Sequence, residues 1–102
     1  LDAVVAINDP VAIGAIRAIC HAGLSVPGDI AVASCDSFPG GEYHCPRLTG
    51  LSQQNEYIGK LAFLSLMSAM NGIRDTVGIH HTPTLVVRES CGALYGPRSF
   101  RQ

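Results

Sequence analysis

The apolar positions of this chain follow two rhythms. Residues 2–8, DAVVAIN, are a block of Val, Ile and Ala with no helical period, the pattern of a short strand buried on both faces. After Pro10 the apolar side chains recur at three and four residues, which predicts a helix over 10–22. Asn8-Asp9-Pro10 is then a strand-to-helix junction. Pro10 suits a first helical turn, with Asp9 or Asn8 as cap and an acid at the positive end of the helix dipole. That grammar accounts for Asp9 and Pro10 but does not require Asn8.

The pattern continues in the same style. Gly23 stands where a left-handed C-terminal cap belongs, and Val26-Pro27-Gly28-Asp29 has the central residues of a type II turn. A second buried strand is expected at 30–34, ending at Cys35-Asp36, and a loop over 37–45 that contains Pro39-Gly40-Gly41. A brief extended piece at 48–51, a helix over 54–71 ending at Asn71-Gly72, and a strand at 84–89 follow, with 93–102 as a tail. Strands alternating with helices argue an α/β fold with a Rossmann-like parallel sheet and right-handed crossovers.

The two helices differ in kind. In the first, Ala12, Ala15, Ile16 and Ile19 share the face that should cover the sheet, while Ile13, Arg17 and Cys20 form an outer stripe. That stripe reads equally as a second contact surface or as scattered surface apolars. In the second helix Tyr57, Ile58, Leu61, Phe63, Leu64, Leu66, Met67 and Met70 leave only Glu56, Lys60 and Asn71 as a polar strip. Such a helix is built to be covered on most sides. A chain of 102 residues holds one modest domain and too little cover for it. With no Met at its start and an opening directly on strand-like sequence, the chain reads as part of something longer.

Composition narrows the function classes. Hydrophobic residues make up 47% and charged residues 15%, so the chain is globular rather than disordered. A net charge of −1 provides no cationic footprint for DNA. The run from Leu61 to Met70 is too short to span a bilayer, and no signal-peptide pattern is present. A cytoplasmic protein without membrane contact is expected. Cys20, Cys35, Cys45 and Cys91 contain no Cys-x-x-Cys pair and read as free thiols in a reducing compartment, a Cys45–Cys91 disulfide staying open. His80 and His81 are adjacent in extended chain and point to opposite faces, and His44-Cys45 and Cys20-His21 are sequence neighbours with the same difficulty, so no metal or other cofactor is expected. Ser34 and Cys35 lack an arranged base, which argues against an enzyme.

In open parallel sheets, ligands bind beyond the carboxyl ends of the strands. Asn8 ends the first strand, Asp36 the second, and Gln53 follows the third extended piece. Two amides and a carboxylate suit a neutral polyhydroxyl or heterocyclic ligand. Asx residues also cap turns constantly, and spacing alone leaves the two readings level.

The segments NDPVAIGAIRA, AGLSVPGDIAVASCD, PRLTGL and PTLVVRES, in this order, resemble the LacI/GalR family of bacterial transcription regulators. The resemblance spans nearly the whole chain. It implies the C-terminal part of an effector-binding core (residues 1–92) with a periplasmic-binding-protein-like fold of two α/β subdomains. It further implies that Asn8, Asp36 and Gln53 line the effector cleft, and that about 54–81 packs with an N-terminal subdomain outside this chain. The stripe Ile13, Arg17 and Cys20, with His44, falls where such regulators form a two-fold interface. The implied partners are a small polar effector (a sugar or nucleoside-like ligand), a second copy in a homodimer, and operator DNA only through a helix-turn-helix that this segment lacks. A solute-binding protein of a sugar transport system is the alternative. Ser34 and Cys35 replace the family's usual Gly and aromatic, Ser37 a second acid, and Gly50 a second Thr.

Overall fold

The computed structural model describes residues 1–73, 78 and 80–96. The elements are β1 (Ala3–Ala6), α1 (Asp9–His21), β2 (Ala31–Ser34), β3 (Thr49–Ser52), α2 (Asn55–Met70) and β4 (Thr84–Val86), with short 3-10 turns at Pro39–Tyr43 and Ala93–Tyr95. The loop expected over 37–45 thus holds a helical turn. Most of the expected tail lies outside the described residues.

The sheet runs β1-β2-β3-β4. β1 pairs parallel with β2, Ala3 opposite Ala31, and β2 parallel with β3, Ala33 opposite Thr49. β4 is antiparallel to β3, Gly50 opposite Val86. This corrects the all-parallel expectation: the chain that leaves β3 at Ser52 returns at Thr84 directly across from it, so β4 runs in reverse.

Helix α1 forms where the periodicity put it. Gly23 closes it at φ +77°, a conformation that costs glycine little. Its Ala12 and Ile16 are buried against Ala6, Val32 and Leu48, with Val4, Ile13, Ile19 and Val26 packed around them. This core occupies one face of the sheet only. Val5 is 71% and Ile7 77% exposed, so β1 is not buried on both faces. An unbroken apolar run calls for cover on two sides, and the described residues supply it on one. The 26–29 turn differs too. Gly28 lacks the positive φ that a type II turn requires at its third residue. Instead the Asp29 carboxylate accepts from the Ser25 N–H (2.8 Å) and hydroxyl (2.7 Å).

Parallel pairing of β2 and β3 covers two residue pairs, Ala33 with Thr49 and Ser34 with Gly50, and Ser90 completes the join. Its buried hydroxyl donates to the Val32 carbonyl (2.7 Å) and accepts from the Thr49 N–H (2.9 Å). Its backbone carbonyl accepts from the Val32 N–H (2.8 Å) and its N–H donates to the Arg47 carbonyl (3.0 Å). One residue outside the strands therefore holds two of them. Beside it, the Glu89 carboxylate accepts from the Arg47 backbone N–H (2.8 Å) and Nε (3.1 Å).

Helix α2 is another matter. No residue in it is buried, and Phe63 (60%), Leu66 (57%) and Met70 (71%) face outward. The radius of gyration, 18.1 Å, exceeds the roughly 13 Å of a compact domain of about 100 residues, and the molecule is 61 Å long.

Two outcomes follow. Ser90→Ala leaves a buried N–H and a buried C=O unmatched and should cost about 2 kcal/mol or more, read from urea denaturation. The Glu89 pKa is lowered from 4.5, chiefly by the Arg47 backbone N–H; desolvation opposes the shift, and the Arg47 side chain adds to the lowering by hydrogen bond and charge. A depressed carboxylate stabilises the fold above its unfolded pKa and loses that contribution as pH falls through the folded value. Melting temperatures taken from neutral pH to below 4.5 should therefore fall further in the parent than in Glu89→Gln.

Candidate functional site

The carboxyl ends of β1 and β2 open on the same side, and each is followed by a polar residue. Asn8 is the N-cap of α1: its extended backbone (φ −152°, ψ 170°) lets Oδ1 accept from the Val11 N–H at 3.0 Å. The capping role is thus real, and it occupies only the carbonyl oxygen. Among the described residues Nδ2 has no partner.

With Asn8 as cap, Asp9 is released for a longer reach. It is 4% exposed, and its Oδ2 accepts from the Phe38 N–H at 2.8 Å, across 29 positions of sequence. Its Oδ1 is buried without a partner among the described residues. Sequence reasoning took Asp9 as a local cap or dipole partner and missed this tie. The signal was present: two Asx residues stand where one cap is needed.

Asp36 sits half-buried on the tied segment. Its N–H donates to Ser34 Oγ (3.1 Å) and its Oδ1 accepts from the Ser37 N–H (2.9 Å), which leaves Oδ2 open. Arg88 steadies the same segment through Nη1, which donates to the Leu48 carbonyl (2.7 Å) and to Ser37 Oγ (3.3 Å). Gly50 has a matching role. The Asp36 carbonyl oxygen occupies the space that a Cβ at Gly50 would take. The glycine that departs from the family pattern therefore lets the Asp36 backbone close onto β3.

Asn8, Asp9, Pro10, Ile13, Asp36, Phe38, Gly40 and Gly41 line one cleft of about 440 Å³. Its ionisable groups are both acids, which suits a ligand rich in hydrogen-bond donors. Gln53 is exposed beside the cleft rather than in its lining, its Nε2 donating to the Cys35 carbonyl at 3.4 Å. The structure thus joins Asn8 with Asp36 and leaves Gln53 at the margin.

The outer stripe of α1 is split. Arg17 and Cys20 are exposed, but Ile13 is half-buried and leans on the core. His44 is half-buried with Nδ1 enclosed and unpartnered among the described residues. All four cysteines are free, including Cys45 and Cys91.

Residues 2–91 match the family model of the periplasmic binding protein-like domain. The chain is 45% identical over 71 residues to the lactose operon repressor of Rhizobium radiobacter, covering 70% of this chain and 63% of that protein. It is 34% identical over 85 residues to the transcriptional repressor MelR of Bacillus subtilis, covering 83% of this chain and 25% of that one. Among solved structures, a lactose complex of a LacI family regulator from Arthrobacter superimposes with a TM-score of 0.80 at 30% identity, covering 88% of this chain and 35% of that one. The lac repressor dimer bound to operator gives 0.83 at 29% identity, with 88% and 27% covered. The chain spans under two thirds of the length of each. By this match over nearly its whole length, the chain belongs to the periplasmic binding protein-like domain family, in the form carried by the effector-binding core of LacI-type transcriptional regulators.

Proposed function

We propose that this chain is the ligand-sensing part of a bacterial LacI-type regulator, and that a small uncharged sugar binds at Asn8 and Asp36. The observation that carries the reading is the shared cleft: Asn8 Nδ2 and Asp36 Oδ2 are unengaged groups at the carboxyl ends of neighbouring parallel strands. A carboxylate accepts from two neighbouring hydroxyls, and the amide donates to a third. Gln53 adds a contact at the margin if it releases the Cys35 carbonyl. The chain acts without catalysis, in the cytoplasm. Operator binding belongs to a helix-turn-helix elsewhere in the longer protein.

In this reading residues 54–81 pack with an N-terminal subdomain that covers the exposed apolar faces of α2. The effector lies between that subdomain and the Asn8–Asp36 rim. It biases operator binding only as far as it binds one arrangement of the two subdomains better than the other. A transport-linked solute-binding protein is the weaker alternative, because the relatives found are repressors.

The test is calorimetric titration of the complete two-subdomain core with lactose, melibiose, cellobiose and raffinose. Asp36→Ala should weaken binding about tenfold or more, the loss of one charge-assisted bond. Asn8→Ala should weaken binding and also lower stability by about 1 kcal/mol, because its cap is lost as well. Affinity unchanged in both variants, with only the melting temperature lowered, would return both residues to turn-making.

Dimerisation through Ile13, Arg17, Cys20 and His44 belongs to the same proposal, an isologous contact in which each stripe meets its symmetry mate. Sedimentation of the core carrying Ile13→Asp should show monomer where the parent is dimeric. Ile13 also packs on the core, so Arg17→Glu, at an exposed position, serves as the second variant. A dimer that survives Arg17→Glu rejects the stripe.

A further inference from the structure

Two of the four thiols lie on chains that the sheet brings side by side. β3 and β4 pair antiparallel, Gly50 opposite Val86, and their chains stay together beyond the strands. Ahead of β3, Arg47 meets Glu89 through its backbone N–H (2.8 Å) and Nε (3.1 Å). The Arg47 carbonyl accepts from the Ser90 N–H (3.0 Å). Continuing outward from that bond, one chain presents Pro46 and then Cys45, and the other presents Cys91. Paired chains run about 5 Å apart, and a disulfide joins Cα atoms roughly 4.4–6.8 Å apart. The two thiols differ in access. Cys45 is exposed. Cys91 is half-buried in a turn closed by the Gly92 N–H on the Glu89 carbonyl (3.0 Å), and its Sγ donates to the Arg88 carbonyl (3.6 Å). Cys20, on α1, and Cys35, beyond the end of β2, stand elsewhere in the fold.

We infer that Cys45 and Cys91 are a redox-sensitive staple, a dithiol here, which hydrogen peroxide converts to a disulfide between the chain entering β3 and the chain leaving β4. The exposed Cys45 thiolate attacks one peroxide oxygen: an S–O bond forms, the O–O bond breaks, and hydroxide leaves to become water. The Cys91 thiolate then attacks that sulfur: the S–S bond forms, the S–O bond breaks, and a second water departs. Together the thiols give up two electrons and two protons, and one peroxide becomes two waters. A small dithiol reverses the step by exchange. The loop so closed contains β3, α2 and β4, and a cross-link across a long loop restricts the unfolded chain most. It adds a covalent tie where Ser90 and Glu89 hold the sheet by hydrogen bonds. The staple sits at the start of β3, whereas Asn8 and Asp36 lie beyond the carboxyl ends of β1 and β2. It therefore acts on the stability of the fold and leaves the effector rim open.

The experiment treats the complete two-subdomain core with hydrogen peroxide, blocks remaining thiols with iodoacetamide and maps its peptides without reduction. The Cys45 peptide should appear joined to the Cys91 peptide of the same subunit, and dithiothreitol should separate them. The melting temperature of the oxidised core should rise by about 5 °C or more. Cys45→Ser, at an exposed position, should abolish the linkage and the rise, and Cys91→Ser should do the same. Cys20→Ser and Cys35→Ser should leave both unchanged. Alkylated Cys45 and Cys91 after peroxide overturn the staple, as does a disulfide from either to another cysteine or to a second subunit. A joined pair without a rise in melting temperature overturns its stabilising role.

Discussion

A buried carboxylate holds the cleft together. Asp9 stands in the first turn of α1 and reaches the Phe38 N–H, 29 residues away. That single charge-assisted bond joins the end of β1 to the segment that follows β2. It adds a direct tie between the two loops to the strand pairing below them, and so helps to keep Asn8 and Asp36 at one mouth. A carboxylate is expensive to bury, and the N-terminus of a helix is among the few places in a small domain where the local dipole offsets that cost. The sequence Asn-Asp-Pro divides the work between its members. Asn8 caps, Pro10 shapes the first turn, and Asp9 is left free to act at a distance.

The opposite end of the same segment is fixed from the chain that returns after α2. Arg88 reaches Ser37, Ser90 bridges β2 and β3, and Glu89 grips Arg47. These three consecutive residues bond in three directions, and none lies within a strand. The sheet is narrow, and its third and second strands touch for barely a turn of pleat, so irregular backbone finishes what the ladder begins. The effector rim proposed above therefore rests on both of the chain's passages, out through β3 and back through β4.

Helix α2 shows the same logic by default. Most of its large apolar side chains are exposed, Leu61 being half-buried, and the molecule is 61 Å long. An amphipathic surface helix would have a polar side for solvent. This one has almost none, and in the proposed reading the N-terminal subdomain of the longer protein covers it.

The elements themselves were legible in the amino-acid sequence. Periodicity located α1 and α2, Gly23 marked the end of one and Asn71-Gly72 the other, and the alternation of strands and helices gave the class of fold. Four short motifs in order gave the family. These are local properties, decided by neighbours three or four residues apart or by the chemistry of one turn. What the tertiary structure alone decided involves residues distant in sequence. The reversal of β4 depends on where the chain re-enters the sheet. The exposure of Val5 and Ile7 depends on which layers are present. Gly28 could not declare its turn type, because Asp29 and Ser25 built the turn with side chains instead. Asp9 and Gly50 each looked ordinary in one dimension: a cap and a missing Thr. Their roles come from what the fold brings against them, a peptide N–H and a carbonyl oxygen, and no pattern of nearby residues encodes those meetings.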